Sequence, residues 1–185
     1  MVEEDQDVAL VARCLDGDQE AFEALLERHQ KAIYNLAYRM LASAEDAEDV
    51  TQTVFMKAFE KLDRYNPEYR FFSWIYRIGV NESIDALGRR KRNAGGDEEL
   101  HAGAASMEDQ LDEDRTCQRV QDAMMTLSEA ERGVIVLKHF LGLSYQEISK
   151  VLEVPDKTVK SRLFVARRHL RDALEAMGEG ERVKH

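Results

Sequence analysis

The chain has 185 residues, a formal net charge of −10, and hydrophobic and charged shares of 44% and 34%. That length suits one domain or two small ones, each with enough chain to bury a core, and two prolines with ten glycines leave few helix breaks. No apolar run approaches the roughly 20 residues a membrane helix needs, and the opening MVEEDQD is acidic, without the basic and apolar parts of a signal peptide. The expectation is therefore a soluble, helix-rich, cytoplasmic protein with no direct insertion into a membrane. Cys14 and Cys117 stand far apart and form no CxxC pair, which predicts free thiols. The five histidines show no ligand-like spacing, so neither a metal nor a cofactor is expected.

In chain order, residues 6–14 form a short amphipathic helix that ends near Asp16-Gly17-Asp18. Residues 19–41 repeat apolar positions at helical spacing, from Phe22, Leu25 and Leu26 through Ile33, Leu36 and Met40. Ser43 is a plausible N-cap for the next helix, with Asp46 at its third position. That helix should run to about Leu62, with Val50, Val54, Phe55, Ala58 and Phe59 on one face. Asn66-Pro67 marks a loop, and a further helix is expected from about Phe72 to Arg90. The stretch from 93 to about 115 is small, acidic and aperiodic, and reads as a flexible acidic linker. Helices over about 116–126, 128–141, 144–152 and 156–176 follow, with a frayed tail over 179–185.

The predicted fold class is thus all-α, with two small helical domains over 1–92 and 116–178. Charge is segregated between their segments. Residues 97–114 hold Asp97, Glu98, Glu99, Glu108, Asp109, Asp112, Glu113 and Asp114 with no Lys or Arg. Residues 156–171 hold Lys157, Lys160, Arg162, Arg167, Arg168 and Arg171 against Asp156 alone. Segregation rather than the total decides which surfaces approach phosphate.

The stretch 144–171 has helix-turn-helix spacing: a short helix capped by Ser144, a tight connection at 153–156, and a basic second helix. Lys157, Thr158, Lys160, Ser161, Arg162, Phe164, Arg167 and Arg168 face outward on the second helix, as a helix entering the major groove of DNA requires. The turn carries Glu153 where glycine is common, which predicts a somewhat strained bend. A second cluster, RFFSWIYRIGVN (70–81), gathers Phe71, Phe72, Trp74 and Tyr76 beside the basic run 89–92. Helical spacing puts Phe71, Ile75 and Ile78 on one side, with Ser73, Tyr76, Arg77 and Asn81 elsewhere. Phe72 or Trp74 is expected in the core, because buried aromatics usually serve packing.

Residues 44–92 resemble conserved region 2 of the extracytoplasmic-function (ECF) sigma factors of bacterial RNA polymerase. DGDQEAFEALLERHQKAIYNLAYRML (16–41) looks like the helix that opens that region, and 127–174 resembles region 4. The resemblance implies a promoter-specificity subunit and no catalytic residue. It implies that 49–62 docks on the clamp of the largest polymerase subunit. Asp46, Asp49, Gln52, Thr53 and Lys57 would form the polar face, with Val50, Phe55 and Phe59 on its apolar side. Region 4 would reach the flap of the second-largest subunit. The resemblance further implies that 64–81 reads the melted −10 promoter element. Asn66, Tyr69, Arg70 and Phe71 would wall a base pocket, Asn81 would meet a base edge, and Arg77, Arg89 and Arg90 would hold the backbone. The outward face of the second helix of 144–171 would read the −35 element as duplex DNA. An anti-sigma factor is the further partner implied. A stand-alone helix-turn-helix regulator would explain 144–171 but not 49–81.

Overall fold

The computed structural model describes residues 2–93 and 111–182, so the expected linker falls largely outside the described residues. Eight α-helices make up the described chain, and it contains no strand. The first four are α1 (Val2–Leu15), α2 (Gln19–Leu41), α3 (Ala44–Glu60) and α4 (Phe71–Asn93), with a 3₁₀ turn at Leu62–Arg64. The rest are α5 (Leu111–Met125), α6 (Glu129–Ile135), α7 (Tyr145–Leu152) and α8 (Asp156–Arg182).

Each start and stop has a local cause. Asp18 accepts a hydrogen bond from the Ala21 N–H at 3.2 Å and caps α2, and Ser43 does the same for α3 through Asp46. Ser128 with Glu131, and Ser144 with Glu147, form reciprocal capping boxes at α6 and α7. α2 stops where Ala42 turns left-handed, with φ at 53°.

α2, α3 and α4 pack around Leu25, Ile33, Leu36, Met40, Val54, Ile75 and Leu87, all under 3% exposed. Gly79 permits the close approach of α4 to α2: a Cβ there would already touch Ile33 and Leu36 at 3.5 Å. α1 is tied on by Asp7, which accepts from Arg28 at 2.6 Å and pairs with His29 Nε2 at 3.0 Å. The second core gathers Met124, Ile135, Leu137, Ile148, Val151, Val159, Leu163 and Ala166.

Several boundaries differ from expectation, among them the start of α1, at Val2 rather than residue 6. The helix expected over 128–141 is α6 followed by a π-helical turn at Val136–Phe140, closed by Leu141 N–H to Val136 O at 3.1 Å. α5 begins at Leu111, inside the expected linker. α8 runs past its expected end near 176 to Arg182, into the tail expected to fray, and α5 packs against the helix.

The two halves touch. Arg132, 3% exposed and on α6, donates to the carbonyls of Met124, Met125 and Leu127 at 3.0–3.1 Å and reaches across to Met40 O at the end of α2. Burial lowers its pKa, with Glu129 acting weakly the other way. Arg39 on α2 donates to Gln121 at 3.0 Å and lies 4.5 Å over the Phe140 ring.

Candidate nucleic-acid interface

Three surfaces merit description. The first lies around the 66–81 segment. Tyr69 N–H bonds to Asn66 O, the Asn66 side chain accepts from Glu68 N–H at 2.9 Å, and the Tyr65 hydroxyl donates to Tyr69 O at 2.6 Å. This network folds the loop into a hydrogen-bonded rim. Behind it lies a cavity of about 380 Å³ walled by Arg64, Tyr65, Asn66, Tyr69, Ser73, Trp74 and Arg77, with Lys150 and Glu153 of the other half at its edge. Tyr65 sits 5.7 Å from Trp74 and 5.5 Å from Phe71. Burial raises the Tyr65 hydroxyl pKa, helped by the nearby Asp7 charge, and raises that of Tyr76 for the same two reasons. Ser73 Oγ is buried on this wall and is the one such side-chain atom without a hydrogen-bond partner among the described residues.

The order of burial in the aromatic cluster departs from expectation. Phe71 was expected on the pocket wall, but it is 4% exposed and packs behind the wall against His29, Tyr65 and Trp74. Phe72 or Trp74 was the expected core ring. Both are only half-buried, and Trp74 lines the cavity. Tyr76 and Ser73, placed elsewhere by spacing, are buried. α4 starts at Phe71 and meets α2, α3 and α7, so its buried arc is wider than a single stripe. Asn66, Tyr69, Arg70, Asn81 and Arg89 are exposed, and Arg77 and Arg90 partly so. Arg90 lies 3.6 Å from Asp46, which joins residues expected in two different sites. Arg64, Tyr65 and Ser73 were not singled out from the sequence. Arg64 and Tyr65 stand just before the Asn66-Pro67 loop signal, which is where a search for further wall residues would begin.

The second surface is a groove of about 890 Å³ between α2 and α3. Phe22, Leu26, Phe55, Met56 and Phe59 supply its apolar floor, and Asp49, Gln52 and Glu48 its acidic and amide rim. Val50 is 3% exposed and belongs to the core, not to this groove. Phe55 is 6% exposed. Phe59, expected to pack behind the polar face, is 58% exposed, its ring 4.8 Å from Phe22. Met56, which the apolar pattern did not single out, is 59% exposed beside it. Thr53 donates to Asp49 O at 2.8 Å, and Lys57 is paired with the buried Glu82.

The third surface is α8. The α7–α8 turn carries Glu153 in the left-handed region at φ 53°, the strained bend that the absence of glycine predicts. Ser149 steadies it by donating to Val154 O at 2.6 Å. Val159, Leu163 and Ala166 hold α8 to the core. Lys157, Lys160, Ser161, Phe164, Arg167 and Arg168 project into solvent, and Thr158 and Arg162 do so in part. Phe164 is 70% exposed, the most of any large apolar residue described. Arg167 donates to His139 Nε2, and burial together with the Arg167 and Lys138 charges lowers the His139 pKa.

Comparisons with known proteins bear on the family and the fold. Residues 25–93 match the model for Sigma-70 region 2, and residues 117–170 match that for Sigma-70, region 4. The chain is 33% identical to the RNA polymerase sigma-H factor of Pseudomonas aeruginosa, over 96% of this chain and 98% of that one. It is 35% identical to the ECF RNA polymerase sigma-E factor of Escherichia coli K12, over 90% and 93%. Among solved structures, CnrH in complex with the cytosolic domain of CnrY superposes with a TM-score of 0.73 at 31% identity, over 92% and 98% of the two chains. The sigma factor RpoE of Bartonella quintana, in complex with the anti-sigma factor NepR, gives 0.69 at 26%, over 83% and 96%. With both region models matched in order and full-length relatives above 30% identity, the chain belongs to the ECF family of RNA polymerase sigma factors.

Proposed function

We propose that this chain binds core RNA polymerase and directs it to specific promoters, initiating transcription from the cytoplasm. Residues 1–92 serve polymerase binding and capture of the melted −10 strand, residues 116–178 read the −35 duplex, and residues 93–115 span between them. The α2–α3 groove suits a helical partner with basic and apolar side chains, because its floor is apolar and its rim carries Asp49, Gln52 and Glu48. The clamp of the largest subunit is the assigned occupant. A shallower groove of about 510 Å³, floored by Val120, Met124, Ile135, Phe140 and Leu170, is assigned to the flap of the second-largest subunit. The reading gives the chain no catalytic residue, since its work is binding and strand separation.

One observation carries the −10 assignment: an aromatic cavity with cations at its mouth and a buried, unpaired hydroxyl on its wall. Tyr65, Tyr69 and Trp74 offer ring faces to an unstacked base, a contact worth about 1–3 kcal/mol. Arg64 and Arg77 face the adjoining phosphates. α8 supplies the duplex reader, with Lys157, Lys160, Ser161 and Arg162 toward base edges and Arg167 and Arg168 toward phosphate. An anti-sigma factor is the proposed regulator. The CnrH and RpoE structures are complexes of that kind, and Met56, Phe59 and Phe140 give such a protein exposed apolar anchors here.

Run-off transcription with core polymerase on a genomic library tests the whole reading, since it reports activity together with the −35 and −10 sequences. Arg162→Ala should lower output from promoters that depend on the −35 element. Unchanged output there removes Arg162 from the duplex-reading face. A chain that shifts duplex promoter DNA tightly and specifically without polymerase is a stand-alone regulator instead.

A further inference from the structure

α1 lines neither the aromatic cavity nor either groove. It also lies ahead of residue 25, where the match to Sigma-70 region 2 begins. Yet its Asp7 is buried, at 6% exposure, and is held by two neighbouring residues of α2. Arg28 donates to one carboxylate oxygen at 2.6 Å, and His29 Nε2 meets the other at 3.0 Å. His29 is itself 7% exposed, and its ring centroid lies 5.3 Å from that of Phe71. Phe71 lies 5.5 Å from Tyr65 and 5.6 Å from Trp74, which are 5.7 Å from each other. Tyr65 and Trp74 wall the cavity, whereas Phe71 is buried behind them and does not line it. A series of contacts therefore runs from a carboxylate on α1, through His29 and Phe71, to the two rings that face the cavity.

We propose that Asp7 and His29 are positioning residues for the −10 pocket: the carboxylate of α1 fixes the His29 ring, and that ring sets Phe71 and, through it, the Tyr65 and Trp74 walls. The inference rests on the reading of the cavity as the −10 base pocket and extends it to a helix outside the matched region.

The division of work around Asp7 supports this. Arg28 supplies the counter-charge that a buried carboxylate needs. The bond to His29 adds something else, a fixed orientation for a ring that packs on Phe71. Stacking on an unstacked base depends on where the ring faces lie, and a binding constellation must be held to within about 0.5 Å. In a close-packed interior a displaced His29 ring is felt by Phe71 and then by both walls. Tyr65 also donates to Tyr69 O at 2.6 Å, so a shift of its ring moves the loop side of the cavity as well. The Asp7 charge reaches the same place: after burial, it is the second influence that raises the hydroxyl pKa of Tyr65 and of Tyr76.

The test uses holoenzyme reconstituted from core polymerase and the full chain, each variant being assayed well below its unfolding transition. Anisotropy of a labelled single strand carrying the −10 sequence reports the pocket. Titration with core polymerase reports the α2–α3 groove, which neither residue lines. His29→Gln keeps a hydrogen-bond donor for Asp7 and removes the ring, whereas Asp7→Ala keeps the ring and removes its anchor. Both should lower strand affinity by about fivefold, the scale on which residues packed behind a site act, with core affinity unchanged. His29→Phe puts a ring back against Phe71 and should recover most of the loss. Trp74 is the chain's single tryptophan. Its emission in the free, folded chain should shift in His29→Gln and return towards wild type in His29→Phe. Wild-type strand affinity in either His29→Gln or Asp7→Ala overturns the proposal. Core affinity falling in step with strand affinity overturns it too, since the pair then serves only the stability of the N-terminal half. His29→Phe binding no better than His29→Gln overturns the route through the ring. A distinct result marks failure of the underlying reading: Tyr65→Ala/Trp74→Ala leaving strand affinity untouched means that the cavity holds no base.

Discussion

Replacing Arg132 by methionine should remove about 3–5 kcal/mol of stability. The guanidinium is 3% exposed and serves four backbone carbonyls: Met124, Met125 and Leu127 at the end of α5, and Met40 at the end of α2. No carboxylate forms an ion pair with it among the described residues, so the four carbonyls, with the nearby Glu129 charge, repay its desolvation. A bond from a charged donor contributes about 1.5–3 kcal/mol, and a buried carbonyl left unmet costs about 1–3 kcal/mol. Four such losses, offset by no longer burying a charge, leave the quoted range. Methionine keeps the volume, so no large cavity forms. Urea unfolding followed by Trp74 fluorescence and by far-UV circular dichroism measures the change. A fall in Tm of about 10 °C should accompany it. Arg132→Lys should lose at least half as much, since an ammonium cannot reach all four carbonyls at once. If Arg132→Met stays within about 1 kcal/mol of wild type, desolvation cancels the bonds and the residue joins nothing.

Phe59→Ala should leave Tm within about 2 °C, because the ring is largely exposed. It should weaken core polymerase binding by about tenfold or more in an anisotropy titration; equal affinity would move the polymerase contact off the α2–α3 groove. Burial acts to raise the Asp7 pKa, but its bonds to His29 and Arg28 outweigh this and hold the carboxyl below its usual range. That stability is present above the ordinary carboxylate pKa and lost as pH falls through the depressed one, so the urea midpoint should drop from pH 6 towards pH 3. Asp7→Asn should be less stable at pH 6 and lose less on acidification; parallel curves for the two proteins would refute the pairing. Glu153→Gly should slow hydrogen exchange of α7 and α8 amides, since glycine relieves roughly 1 kcal/mol of left-handed strain. Faster exchange would show that the side chain contributes more to the turn than its backbone strain costs.

Much of the fold was legible because its causes are local. Ser43, Ser128 and Ser144 stand where their helices begin, and most periodic residues of 19–41 and 156–171 are those found buried, Phe22 and Leu26 being turned instead to the α2–α3 groove. The basic face of α8 was legible for the same reason: a helix fixed by Val159, Leu163 and Ala166 must turn Lys157, Lys160 and Arg168 outward. The cavity beside α4 was only half legible. Its loop residues were found, but its rings were misassigned, because α4 is packed on several sides and periodicity cannot rank positions on a helix buried over a wide arc. Contacts between the halves were not legible at all. Arg70 with Glu147, Arg77 with Glu153 and Arg132 with Met40 are separated by 77, 76 and 92 residues, and no spacing rule couples such positions.

Those long-range pairs also resolve a tension in the composition. A chain of net charge −10 carries two cationic surfaces alongside its own many acids. The structure orders the attraction instead of avoiding it. α8 keeps its cations in solvent, whereas the cations of α4 meet acids from the opposite half. Each such pair is partly exposed and contributes little alone, and the contact is held in register by the buried Arg132 and by Arg39 over Phe140. Glu153 marks the compromise, since a residue chosen only to stabilise that turn would have been glycine.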